Sequence, residues 1–435
     1  MMKNLRKHVC LALLAAMLLG LCACGATPTQ PTPAATAAPA TAEDVSAPGE
    51  LTLAVLIPNA TLDYMAAQFN DTAPGFTVRV VDYSDGTAYT PEQAAARLTT
   101  EIISGKGPDM VCFNGISPYP YIRSGMLANI GAFIAQDGDI SLDDIVIADV
   151  LKEGEGIYFM ASSFAVDSMV ARTDRFGARY GWTVDEYLDM DRSLPPDVQL
   201  INNMSREIYI DYILSRYIRE TVDWENGKCN FESEDFIRML EVGKSIRETT
   251  QDPDNTQFGL GGQLVASGYR IVANSLVDSV WIMALEKQLA GCELSYIGWP
   301  TPDGSCGSDA MLKDSIGIIS TGQSTERCWK FIKYMVMNAP NGLDLPRMPV
   351  YKPLLDAAIK EAHTSDSLQV KVTDADADSF YALIDRVKNS TLYDTQMLRI
   401  ISEESQAYFN GDKTAAEAAR IIQSKASIYL AEQYG

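Results

Sequence analysis

The chain has 435 residues, 47% of them hydrophobic, and a formal charge of −22. That is long enough to fill two lobes with real cores. The acidic balance argues against a nucleic-acid partner, which needs Lys and Arg to replace phosphate counterions, and against capture of an anion by bulk charge.

At the N-terminus, Lys3, Arg6 and Lys7 precede an apolar run from Val9 to Leu21. The run falls short of the roughly 20 residues that a bilayer span needs, so it reads as the apolar part of an export signal over residues 1–23. Leu21-Cys22-Ala23-Cys24-Gly25 resembles the bacterial lipobox, in which cleavage frees the cysteine for lipidation. Lipid attachment at Cys24 is therefore expected, with cleavage at an ordinary small-residue site as the alternative. Residues 24–49 are rich in Pro, Thr and Ala and cannot bury a core; they read as a semi-rigid tether.

The folded part opens with the apolar run Leu51 to Ile57, suited to a strand buried on both faces. Thr61 is placed to cap a helix carrying Leu62, Met65 and Phe69 on one face. Phe76, Val78 and Val80 alternate as a second strand. A helix over 91–104 starts with Pro, buries Ala95, Leu98 and Ile102, and ends at Gly105. Met110 to Phe113 is a third strand. This β-α-β-α-β order predicts a parallel sheet covered by helices, and such sheets bind ligands in the loops at the carboxyl ends of their strands. Farther on, residues 157–171 mix apolar and small residues as a strand does. Trp182 to Glu186 opens a helix, and helical patterns recur at 205–220, 233–248, 326–338 and from Ile400 to the end, broken at Asn410-Gly411.

Of the eight cysteines, those after Cys24 are Cys112, Cys229, Cys292, Cys306 and Cys328. An odd set cannot all pair, and Cys292 with Cys306 is the one sequence-local candidate bridge. Asp374, Asp376 and Asp378 have the spacing that begins a calcium loop, with Asp385 in the twelfth place, but Ser379 stands where such a loop needs Gly. Acids at a helix start are the competing reading. No metal and no cofactor is assigned. The chain has no H-E-x-x-H and no G-x-S-x-G, so zinc-peptidase and α/β-hydrolase chemistry lose their usual residues.

Several local motifs resemble one family, the extracellular solute-binding proteins of ABC importers that include the maltose-binding protein. Gly105-Lys106-Gly107-Pro108-Asp109-Met110-Val111 is similar to its "G-x-x-P-D-V" approach to the third strand. Ser124 to Ile130 is similar to the "G-x-L-x-D-L" turn that follows, with Asn129 in place of the usual Asp. Trp182-Thr183-Val184-Asp185-Glu186 resembles "W-T-x-D-E", and Asp223 to Lys228 with Phe231 to Phe236 resembles a segment common in Gram-positive members. Ile297 to Thr301, Ile316 to Phe331, Phe409 to Thr414 and Tyr429-Leu430 fit in the same order.

The resemblance implies an α/β, two-lobed periplasmic-binding-protein-like fold, each lobe a mostly parallel sheet flanked by helices, joined by a multi-segment hinge. The first lobe is expected over 50–162 plus 315–349 and the second over 163–314 plus 350–435, with crossings near Ala161 to Phe164, Lys313 to Ile316 and Met348 to Tyr351. It implies a monomer that closes around a small-molecule solute, a mono- or oligosaccharide, and passes it to the transmembrane subunits of a permease. A surface receptor for signalling or adhesion, or a secreted hydrolase, are the alternatives.

A sugar site needs aromatic platforms beside groups that satisfy hydroxyl donors and acceptors. The candidates on the expected cleft loops are Asn59, Asp63, Asn114, Ser117, Tyr119 and Tyr121, with Ser163 at the first crossing. From the second lobe come Asn274, Asp278, Trp281, Trp299, Tyr393 and Asp394. Core packing competes for Trp281 and Trp299, and helix-terminus electrostatics for Asp63.

Overall fold

The computed structural model describes residues 49–72, 75–85, 90–195, 199–201, 204–224, 226–247, 272–322, 324–339, 348–365 and 370–434. Cys24 and the tether therefore lie outside the described residues.

Strands β1 (Gly49–Val55), β2 (Phe76–Asp82) and β3 (Met110–Cys112) are parallel neighbours. The chain continues through β4 (Phe159–Met160), leaves that sheet, and enters β5 (Ser163–Arg172). Strands β6 (Val272–Val277), β7 (Leu294–Tyr296) and β8 (Asp309–Lys313) all pair antiparallel to β5. The chain then returns as β9 (Ile316–Ile318) and crosses back as β10 (Met348–Pro349). The first sheet has the order β2-β1-β3-β9-β4, and the second is built around β5. Each lobe thus owns one sheet, and three crossings join them. β10 pairs with Ser163 and Phe164, so the chain is already in the second sheet at Met348 rather than at 350.

The first sheet is covered by the helices Ala60–Thr72, Pro91–Ile103 and Thr325–Met337, with Phe69 and Phe331 meeting edge-on at 5.3 Å. Two local expectations shift. The cap of Ala60–Thr72 is Asn59, not Thr61, because the Asn59 amide oxygen reaches the N–H groups of both Thr61 and Leu62 at 3.1 Å. In Pro91–Ile103, Ala94 takes the buried position expected for Ala95.

β5 is buried on both faces, and its alternation divides two cores. Val166 and Val170 belong to the core that runs from the first sheet through the crossings. Met169 and Ala171 face the other core, filled by Trp182, Tyr209, Phe231, Phe236 and the helices Thr395–Phe409 and Ala415–Tyr434. Asp374–Ile384 is a regular helix whose Asp376 carboxylate accepts from the N–H and hydroxyl of Thr373. The acids there cap a helix. Cys292 and Cys306 are both free thiols, which corrects the candidate bridge.

Candidate functional site

The loops after β1 and β3 stand at the carboxyl ends of the first sheet, but their amides turn inward. Asp314 lies between β8 and β9, buried, with a left-handed φ of 51°. Its carboxylate accepts from Asn59 Nδ2 at 2.7 Å, Asn114 Nδ2 at 3.2 Å and Ser162 Oγ at 3.0 Å, while its own N–H donates to Asn114 Oδ1 at 3.1 Å. Asn59 and Asn114 thus tie the hinge together, and Ser163 is buried beside them in register with Lys313. Asp63 is exposed in the first turn of its helix. Tyr121 is buried against Phe113 and shares a hydrogen bond with the Thr99 hydroxyl at 3.0 Å. Ser117 is buried and accepts from the Tyr119 N–H at 3.3 Å. Of the first-lobe candidates, Tyr119 alone lines the interlobe cavity described below.

The second lobe presents a dense polar cluster. Asp167 on β5 and Asp309 on β8 are register partners, both buried. Arg216 bridges them, at 3.2 Å from Asp167 and 3.1 Å from Asp309. Asp167 also accepts from Trp299 Nε1 at 3.0 Å and Asn274 Nδ2 at 3.1 Å. Burial nonetheless pushes the Asp167 carboxyl above its ordinary range, against the pull of Arg216. Tyr212 packs against Trp299, the rings tilted by 31° with centres 4.5 Å apart. Arg219 grips both oxygens of Asp309 at 3.1 and 3.2 Å and donates to the Ser390 carbonyl at 2.6 Å. It also lies 4.9 Å over the Tyr393 ring, whose hydroxyl donates to Asp309 at 3.0 Å. Burial raises the Tyr393 phenol to about 12.

Tyr212, Arg216 and Arg219 come from one helical stretch: Arg206–Tyr209, a π-helical Ile210–Leu214, then Ser215–Thr221. Such widened turns recur at functional sites. The sequence reading missed these three residues together with Asp167 and Asp309. The available signal was charge inside apolar runs: Asp167 within Phe164 to Ala171, and Arg216 and Arg219 beside Ile213, Leu214 and Ile218. A charge in a fully buried pattern demands a partner.

The remaining candidates separate. Asp394 caps the helix Thr395–Phe409 through the Met397 N–H at 2.9 Å, accepts from the Tyr429 hydroxyl at 2.7 Å, and pairs with Arg123 of the first lobe. Asp278 is half-buried, and burial raises its carboxyl despite the Ser279 hydroxyl at 3.2 Å. Trp281 packs against the first core, with its Nε1 buried and unpartnered.

Between the lobes lies a cavity of 200 Å³. Tyr119 and Glu153 line it from the first lobe; Arg219, Trp224, Tyr393 and Asp394 line it from the second. The Arg123 guanidinium sits 4.1 Å over the Trp224 ring at its edge. Aromatic faces beside fixed donors and acceptors suit a ligand with apolar faces and a hydroxyl rim. Among the described residues no group of three His, Cys, Asp or Glu side chains could hold a metal, and no helix is long and apolar enough to cross a membrane.

Residues 54–195 match the family model of the bacterial extracellular solute-binding proteins. This is a family of solute receptors rather than of enzymes. No curated protein matches the chain in sequence. Among solved structures, the chain is similar to the sugar-binding protein MalE of Xanthomonas citri, at 15% identity and a TM-score of 0.58, over 88% of this chain and 98% of that one. It is similar to a periplasmic oligogalacturonide-binding protein of Yersinia enterocolitica, at 14% identity and 0.56, over 89% and 100%. A third is the galacto-N-biose-/lacto-N-biose I-binding protein of the ABC transporter of Bifidobacterium longum, in complex with lacto-N-biose, at 13% and 0.55, over 90% and 99%. Residues 54–195 thus carry the sequence pattern of the bacterial extracellular solute-binding proteins, and the two-lobed fold around them is like that of these similar structures.

Proposed function

We propose that this protein captures a mono- or oligosaccharide in the interlobe cleft and delivers it to the transmembrane subunits of an ABC permease, acting as a monomer without catalysis. The cavity framed by Tyr119, Trp224, Arg219 and Tyr393 carries this reading, because both lobes supply it and because it combines rings with anchored polar groups. The similar structures that bind sugars support it. Arg219 and Tyr393 are held by Asp309, so their donors and ring are positioned before a ligand arrives, which lowers the entropy of ordering them on binding.

A ligand that binds the folded state alone raises the melting temperature by mass action. A thermal-shift screen of sugars, peptides, polyamines and phosphate esters is expected to return a saccharide. A peptide hit with no sugar hit would overturn the assignment. The lipobox-like segment supports anchoring at Cys24, on the outer face of the cell membrane. Cys24→Ala is expected to abolish labelling by a palmitate analogue and to release the protein into the medium; an equally membrane-bound variant would rule the anchor out.

A further inference from the structure

Arg123 ends the short helix Tyr119–Arg123 of the first lobe, yet its carboxylate partner and its aromatic partner both lie in the second. Nη2 donates to the Asp394 carboxylate, and the guanidinium carbon stands 4.1 Å from the centre of the Trp224 ring. The two paired side chains are 6% and 2% exposed, so the contact is dry. The second lobe builds the receptacle by itself: Asp394 is already fixed by the Met397 N–H at 2.9 Å and the Tyr429 hydroxyl at 2.7 Å. At the other end of the same helix, Tyr119 lies against Ser390 and near Arg219. The helix also packs on Ala415–Tyr434. One short piece of the first lobe is thus embedded in the second, at the rim of the interlobe cavity.

A second interlobe pair shows by contrast what this one can do. Lys388 and Asp149 meet at 3.1 Å but are 59% and 57% exposed, and a pair so exposed holds little. A buried pair is far more costly to break, and a guanidinium over an indole adds a cation–π attraction that strengthens where water is excluded. The fit is nonetheless incomplete. Nε and Nη1 of Arg123 are buried with no hydrogen-bond partner among the described residues. That desolvation cost disappears once the lobes part and water reaches both nitrogens. The contact therefore favours closure and remains breakable, unlike the burial of a core side chain.

We propose that the helix Tyr119–Arg123 is a latch: with Arg123 seated between Asp394 and Trp224, the lobes hold each other by direct contact, and the protein supplies part of its own closure. The latch goes beyond the saccharide reading and is indifferent to it. A solute that binds the closed cleft gains apparent affinity in proportion to the closed fraction, so Arg123 sets affinity without touching the solute.

The test is hydroxyl-radical footprinting of the full-length protein with no solute added. It is read at Tyr393, which lines the cavity and is held by Arg219 and Asp309 rather than by Arg123. Trp182, 0% exposed in the second core, is the internal reference for unfolding. Arg123→Met keeps a long side chain over Trp224 without its charge, and Asp394→Asn keeps a residue that caps a helix. Each is expected to raise the oxidation rate of Tyr393 by about threefold or more, as the population shifts to the open form, while Trp182 stays protected. Lys388→Ala, which breaks the exposed pair, is expected to leave the rate unchanged. A Tyr393 rate that stays the same in both latch variants overturns the proposal, as does one raised equally by Lys388→Ala. Reactive Trp182 in both variants would make the contact part of the core and overturns it too. None of these outcomes bears on which solute is bound, so the saccharide reading stands or falls separately.

Discussion

In the first lobe, β1, β2 and β3 follow one another along the chain and pair in parallel, each separated from the next by a helix that covers the sheet. In the second lobe, β5 is a hub whose partners arrive from far along the chain: Val170 lies opposite Tyr296, and Phe164 opposite Met348. The first sheet is filled by apolar side chains, and its polar loops serve the hinge. The second carries a buried network of two acids and two arginines at its cleft end. Local pairing lets the first sheet be held chiefly by burial, while the lobe with distant pairings carries an ionic cluster whose Arg219 reaches the interlobe cavity. The charged groups of the interlobe cavity thus stand on both lobes, Glu153 beside Tyr119 on the first and Arg219 beside Tyr393 on the second, but only the second backs them with a buried ionic network.

The largest test of this contrast is Asp309→Ala. It leaves Arg216 and Arg219 without their shared carboxylate, and removing one partner of a buried pair costs about 3–5 kcal/mol. Urea denaturation is expected to show a loss of that size; a loss under about 1 kcal/mol would mean that the network is solvated and that the two lobes are held alike. Next comes Asn59→Ala, which removes a helix cap and one donor to Asp314. About 1–2 kcal/mol is expected by the same measurement, and a neutral result would mean that the hinge tie is dispensable. Ile318→Val, in the apolar first sheet, is expected to cost about 1 kcal/mol, as one lost methylene in a packed core does. A cost rivalling that of Asp309→Ala would erase the distinction between the lobes.

The smallest effect concerns pH. The Arg179 guanidinium, with the Thr183 N–H, holds the Glu186 carboxyl below its ordinary range. With a folded value below the unfolded one of about 4.3, its contribution is complete above that pH and is lost as the pH falls through the folded value. Glu186→Gln is expected to flatten the stability profile below about pH 4.3 and to leave the slope at neutral pH unchanged. An unchanged acid limb would show that the pair is inert.

The contrast also explains what could be read from the chain in advance. The first sheet was legible because period-2 and period-3.6 patterns alternate within short windows, as in Phe76 to Val80 and Leu98 to Ile102. The crossings near Ser163, Lys313 and Met348 came from motif resemblance rather than from pattern. The buried ionic cluster was hidden because its residues are set by register across distant strands: nothing local to Asp167 announces that Asp309 stands opposite, or that a widened helical turn brings Arg216 between them. Asn59 and Asn114 stand at the loop ends as read, but local sequence carries no trace of Asp314, whose backbone turn collects their amides instead.

Ser163 lies in register with Lys313 on one neighbour and with Pro349 on another, so all three crossings pass between the lobes at one level. Three strands bonded side by side at a boundary behave as a door hinge and not as a ball joint: bending about their common line deforms few bonds, whereas twisting or sliding must break the rung at Ser163. Such a seam favours rotation about one line over sliding. Were the lobes to rotate about that line, Tyr119 would return to the same place against Tyr393 each time, so positional accuracy in the cavity would follow from the seam itself.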